Sequence, residues 1–63
     1  MDEPALSKAK HDLANPLSAI LAEAQLLMMR AGEFPPGVLE SLKAIESAAL
    51  RMRAMIKDLG RSA

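Results

Sequence analysis

The sequence contains no cysteine, so disulfide staples and thiolate metal sites are excluded. It has no tryptophan or tyrosine and one phenylalanine, Phe34. Any core must therefore be aliphatic, as in a helical bundle. Eight acids balance eight bases, so the basic excess of a nucleic-acid binder is missing. No apolar run approaches the ~20 residues that span a bilayer. The N-terminus lacks the charged, apolar and small-residue succession of a signal peptide. The chain is thus expected to be soluble and cytoplasmic, without direct membrane contact, although a parent protein could be membrane-anchored. Three glycines sit at loop or cap positions, and none builds a phosphate-cradling loop.

What is present reads as one small all-α domain over residues 1–63. Ordering so short a chain costs roughly 1.5 kcal/mol per residue, on the order of 90 kcal/mol in all, which a small core barely offsets. With no staples, oligomerisation is the remaining source of stability. Asp2 and Glu3 with Pro4 make a helix start. A first helix is expected over about 3–31, with Leu6, Lys10, Leu13, Leu17, Ile20, Ala24 and Leu27 as an a/d seam interrupted by one lysine. Gly32-Glu33-Phe34-Pro35-Pro36-Gly37 is the one clear break, a loop over 32–37. Gly32 is expected to close the first helix in the left-handed conformation, and Phe34 to plug the end of the bundle.

The second helix is expected over about 36–60, ended by Gly60. Its stripe is Leu42, Ile45, Ala49, Met52, Ile56 and Leu59. Arg51, Arg53, Lys57 and Arg61 gather in its C-terminal half, where cations suit the helix dipole. A short connection between helices of similar length predicts an antiparallel hairpin. The first helix is apolar over more than one stripe: Leu21, Leu26, Met28 and Met29 lie outside the seam. A helix of that kind needs more than one neighbour. Two hairpins packed about a two-fold axis as a four-helix bundle, an obligate homodimer with coiled-coil-like seams, satisfy it.

The chemistry gathers at His11-Asp12-Leu13-Ala14-Asn15-Pro16-Leu17. His11 is the only histidine, and the seam places it at an outer position facing solvent. A free imidazole titrates near 6.5, which makes it a competent nucleophile near neutral pH; it could equally be an ordinary surface histidine. Lys8, one turn earlier, could attract an anion. Asp12 is either a solvated acid or, with suitable rotamers, the group that fixes the ring tautomer and takes its proton. Asn15, at i+4, shares the face of His11 and could hold a water or phosphoryl oxygen there, or be a tolerated surface amide. Pro16 removes the helical hydrogen bond to the Asp12 carbonyl, at a cost of roughly 3 kcal/mol in an ordinary helix. It marks a bend next to the histidine, functional or merely tolerated. Ser18, Ala22, Gln25 and Met29 continue the His11 face with small or uncharged residues, suited to close approach by a protein or simply rich in good helix formers.

His11-Asp12-Leu13-Ala14-Asn15-Pro16-Leu17 resembles the H-box of sensor histidine kinases: His, an acid, two variable residues, Asn or Thr, Pro and Leu. The long first helix, short loop and apolar second helix resemble the dimerisation and phosphoacceptor domain of that family. The resemblance implies a homodimeric four-helix bundle in a two-component phosphorelay. His11 would take the γ-phosphoryl group of ATP on its outer nitrogen. Asp12 would act as general base, Asn15 would position groups for phosphorylation and for a phosphatase water, and Pro16 would be the hinge. A receiver domain of a response regulator would dock below His11, on Ser18, Ala22, Gln25 and Met29, and accept the phosphoryl group on an aspartate. ATP and Mg2+ belong to a separate catalytic domain, so this chain is expected to bind no cofactor and to be inactive by itself. A stand-alone phosphotransfer relay and a purely structural dimeric hairpin are the rival readings.

Overall fold

A computed structural model describes residues 3–59. Asp2, Gly60 and Arg61, which figure in the expected helix start and end, lie outside the described residues. Two helices, α1 (Glu3–Met29) and α2 (Val38–Lys57), form an antiparallel hairpin, and no strand occurs among the described residues. α1 continues through Pro16. The unit is a rod, 47 × 18 × 11 Å.

The end of α1 departs from expectation. The helix stops at Met29, and the chain tightens into one 3-10 turn, Ala31–Glu33. There the N–H groups of Arg30, Glu33 and Phe34 donate to the carbonyls of Leu27, Arg30 and Ala31 at 3.0, 2.9 and 3.2 Å. These i→i+3 bonds satisfy end carbonyls without a left-handed residue. Gly32 accordingly does not take up the left-handed conformation expected of it; the positive-φ glycine is Gly37, at φ 100°. Gly37 is the N-cap of α2 and turns the chain out of Pro35-Pro36. Its carbonyl then accepts the first α2 bond from the Ser41 N–H at 3.1 Å. Phe34 is half-buried, with the Arg30 guanidinium 5.9 Å from its ring centre, and Arg30 also pairs with Glu33 at 2.9 Å.

The two glycines therefore predict opposite outcomes. A Cβ at Gly37 meets no atom within 4 Å, so Gly37→Ala carries only backbone strain and should destabilise by about 1–2 kcal/mol. Gly32 has equally open surroundings and no positive φ, so Gly32→Ala should be neutral or stabilising by up to about 1 kcal/mol. Urea midpoints at one fixed protein concentration check both.

The packing line of the hairpin also differs from the expected seam. Leu17, Leu21 and Ala24 of α1 are buried against Leu42, Ala49 and Ile56 of α2. Lys10, Ala14, Met28 and Ala31 are half-buried on the same line. The face that α1 turns to its own α2 is thus 10-14-17-21-24-28-31. Leu13, Ile20 and Leu27, placed in the seam by the sequence pattern, are instead exposed, as are Ile45 and Met52 of α2 and Leu59 just beyond its end. Both lines share Leu17 and Ala24, and both are apolar. α1 has two adjacent stripes, and the hairpin uses one.

Candidate functional site

His11, Asp12, Asn15, Pro16, Ser18, Ala22, Gln25 and Met29 are all exposed. At 100° per residue, His11 lies about 100° to one side of the α2-facing line, and Ser18, Ala22, Gln25 and Met29 run down the same flank. Leu13, Ile20 and Leu27 lie about 80° to the other side. The imidazole and the unused apolar stripe are therefore on opposite flanks of the hairpin. A neighbour covering the apolar flank leaves His11 in solvent.

The polar groups around His11 are arranged by helical spacing. Lys8 and Asp12, four apart, pair at 2.8 Å between Nζ and Oδ2. The carboxylate thus turns to Lys8 rather than to the ring. Both side chains are well exposed, at 77% and 60%, so the pair is worth only about 0.3–0.5 kcal/mol. A rotamer change that brings Asp12 to the ring costs little. Pro16 has no N–H to give the Asp12 carbonyl, so the backbone is loosened within one turn of the imidazole.

The flank carrying His11 borders two shallow grooves between the helices. The upper one is lined by Ser7, Lys10, His11 and Ala14 of α1 and by Ile56 and Lys57 of α2. The lower one is lined by Gln25, Met28, Met29 and Glu46, where Gln25 Nε2 donates to Glu46 Oε2 at 3.2 Å. Lys10 Nζ reaches across to the Lys57 carbonyl at 3.5 Å. Sequence reasoning saw Lys10 only as a break in the seam and Lys57 only as a dipole cation. A lysine on an apolar line, immediately before the sole histidine, was the available signal. Lys57 could not be joined to it from spacing, since it belongs to the other helix. Among the described residues no three His, Cys, Asp or Glu side chains gather as a metal site, and no helix is long and apolar enough to cross a membrane.

The fold is thus a helical hairpin whose sole imidazole faces solvent on the long first helix. The chain matches the family model of the His Kinase A (phospho-acceptor) domain over residues 5–62, nearly its full length, and belongs to that family. The match spans both helices and every site residue named above. No curated protein and no solved structure matches the chain.

Proposed function

We propose that the chain is the dimerisation and phosphoacceptor domain of a sensor histidine kinase, and that His11 is the residue phosphorylated. The observation that carries this reading is the exposure of the sole imidazole within the span that matches the family. The outer ring nitrogen of His11 attacks the γ-phosphorus of ATP held by a separate catalytic domain. The N–P bond forms, the P–O bond to ADP breaks, and the proton on the other nitrogen passes to Asp12. Asn15, one turn on along the same flank, positions the phosphoryl oxygens and, in the reverse role, a hydrolytic water. A receiver-domain aspartate then displaces the imidazole and takes the phosphoryl group, with the partner seated on Ser18, Ala22, Gln25 and Met29. ATP and Mg2+ remain with the catalytic domain.

The same reading makes the module a homodimer. The exposed stripes Leu13-Ile20-Leu27 and Ile45-Met52-Leu59 flank shared apolar grooves, one around Ile20, Ala24, Leu42 and Ile45 and one around Leu17, Ile20, Ala48 and Met52. A second hairpin laid there about a two-fold axis completes a four-helix bundle with an aliphatic core. The buried core of one hairpin is six residues, two of them alanines, among the described residues. A second copy supplies the burial that so thin a core lacks.

The test is to mix the chain with a matching ATP-binding domain and labelled ATP, then add a receiver domain. The expected result is label on this chain that moves to the receiver. Label that never appears from ATP, with transfer from a phosphorylated receiver intact, would favour the relay. Label from neither donor would leave a structural hairpin. Two substitutions refine the roles. Asp12→Asn should slow phosphorylation by about 10²–10⁴-fold, the usual contribution of a positioned base, while sedimentation shows the dimer intact; equal rates would remove the base. Asn15→Ala should slow phosphorylation only a few-fold and abolish phosphatase activity toward the receiver, as measured by phosphoaspartate decay; retained phosphatase activity would contradict its role.

A further inference from the structure

The upper groove is lined by two lysines, Lys10 and Lys57, that the kinase reaction as described above does not use. We propose that Lys10 and Lys57 form a phosphoryl-binding cradle beside His11, so that phosphorylation clamps the start of α1 to the end of α2. The proposal rests on the reading of His11 as phosphoacceptor.

Lys10 and Lys57 come from different helices and line one groove with His11, Ser7, Ala14 and Ile56. No carboxylate lines it. Asp12, beside His11 in sequence, is engaged by Lys8 on the far side of α1, and Asp58, beside Lys57, is not among the residues that line the groove. Lys10 occupies the line that α1 turns to α2, where its neighbours are aliphatic or alanine. Its stem lies half-buried and its head emerges at the end of α2, as long cationic side chains do on apolar surfaces. There it donates to the Lys57 carbonyl over a long 3.5 Å. The acceptor is one of the terminal carbonyls that a helix leaves without an internal partner, at the negative end of the dipole. A bond of that length is readily exchanged.

A phosphoryl group on His11 brings about two negative charges and three strong acceptor oxygens. Charge-assisted bonds from ammonium to such oxygens are shorter and stronger than the bond Lys10 makes to a neutral carbonyl. Lys10 from one helix and Lys57 from the other then share one anion, and the Ser7 hydroxyl is a third donor on the same rim. Unphosphorylated, the two like charges bordering one groove repel each other, and the long bond from Lys10 is readily given up. Phosphorylated, they are bridged. The acceptor state of His11 is thereby felt at the last turn of α2.

The test loads His11 in the intact chain with phosphoramidate. The P–N bond of the reagent breaks, the bond from phosphorus to the ring nitrogen forms, and ammonia leaves with the proton released by the ring. Phosphorus NMR gives the extent of loading, and amide hydrogen exchange over 54–59 is read before and after. We expect exchange there to slow about three- to tenfold on loading, the scale of one or two exposed charge pairs. Lys10→Met should abolish the slowing, Lys10→Arg should keep it, and Lys57→Met should reduce it. Lys57 is exposed, so that variant reports even if Lys10→Met perturbs the fold, which circular dichroism checks. Equal slowing in both methionine variants, no slowing in a fully loaded wild type, or failure of the reagent to load His11 where it loads free imidazole would overturn the cradle. Label withheld by the ATP-binding domain, with the clamp intact under phosphoramidate, would instead strike the kinase reading alone.

Discussion

His11→Gln is expected to abolish phosphorylation of the chain, with label from ATP falling to background at every time point, while the hairpin keeps its helicity and its sedimentation coefficient. Both halves follow from where the residue stands. The ring is exposed and contributes nothing to the buried line of Leu17, Leu21 and Ala24, so its removal opens no cavity. Glutamine is an acceptable helix former and keeps polar atoms in the same space. Its amide nitrogen is not a nucleophile at neutral pH, and the sequence holds no second imidazole to take over. Label persisting on His11→Gln would move the acceptor to another residue and sink the assignment.

Ile20→Glu and Ile45→Glu should convert the proposed dimer to monomer and destabilise the fold, whereas Leu26→Glu should do neither. Ile20 and Leu26 are nearly equally exposed in the single hairpin, 52% and 55%, so exposure alone predicts equal effects. They differ in direction. Ile20 and Ile45 share the apolar grooves of one flank; Leu26 points away from that flank, about 160° from the α2-facing line. Burying an isoleucine is worth about 1.5–3 kcal/mol, and a carboxylate in its place adds a desolvation cost. A two-fold interface counts each substitution twice, so about 3 kcal/mol per copy becomes about 6 per dimer, roughly four decades in Kd. Sedimentation velocity from micromolar to millimolar chain reads this directly. A wild type that stays monomeric, or a Leu26→Glu variant that dissociates like Ile20→Glu, would place the interface elsewhere.

The hairpin was legible because its punctuation is unambiguous: six residues with two prolines and two glycines between two heptad patterns allow little else. The packing line was not. The steps 10-13-17-20-24-27 and 10-14-17-21-24-28 fit the same residues equally well, since Leu13, Ala14, Ile20, Leu21, Leu27 and Met28 are all apolar. Which set meets the hairpin's own second helix is a matter of a few tens of degrees of rotation. The wide apolar arc is the reason a further neighbour is expected; it could not say which half would face it. The loop glycines were interchanged for a related reason. A helix that ends in a 3-10 turn satisfies its carbonyls without a left-handed cap, and sequence alone does not show whether the last turn tightens. His11, Asp12, Asn15 and Pro16 were legible because their spacing on one helix fixes their relation. The groove with Lys57 was not, because it depends on which turn of α2 lies opposite residue 11.

On the proposed reading, one outward-facing imidazole takes and passes phosphorus. With histidine-selective 15N labelling only His11 is visible, so a nitrogen–phosphorus correlation spectrum of the chain after incubation with ATP and the catalytic domain tests it in one measurement. A single P–N coupling on the outer nitrogen of His11, lost when a receiver domain is added, is expected. Phosphorus on the chain with both ring nitrogens uncoupled, or no phosphorus on the chain at all, would contradict it.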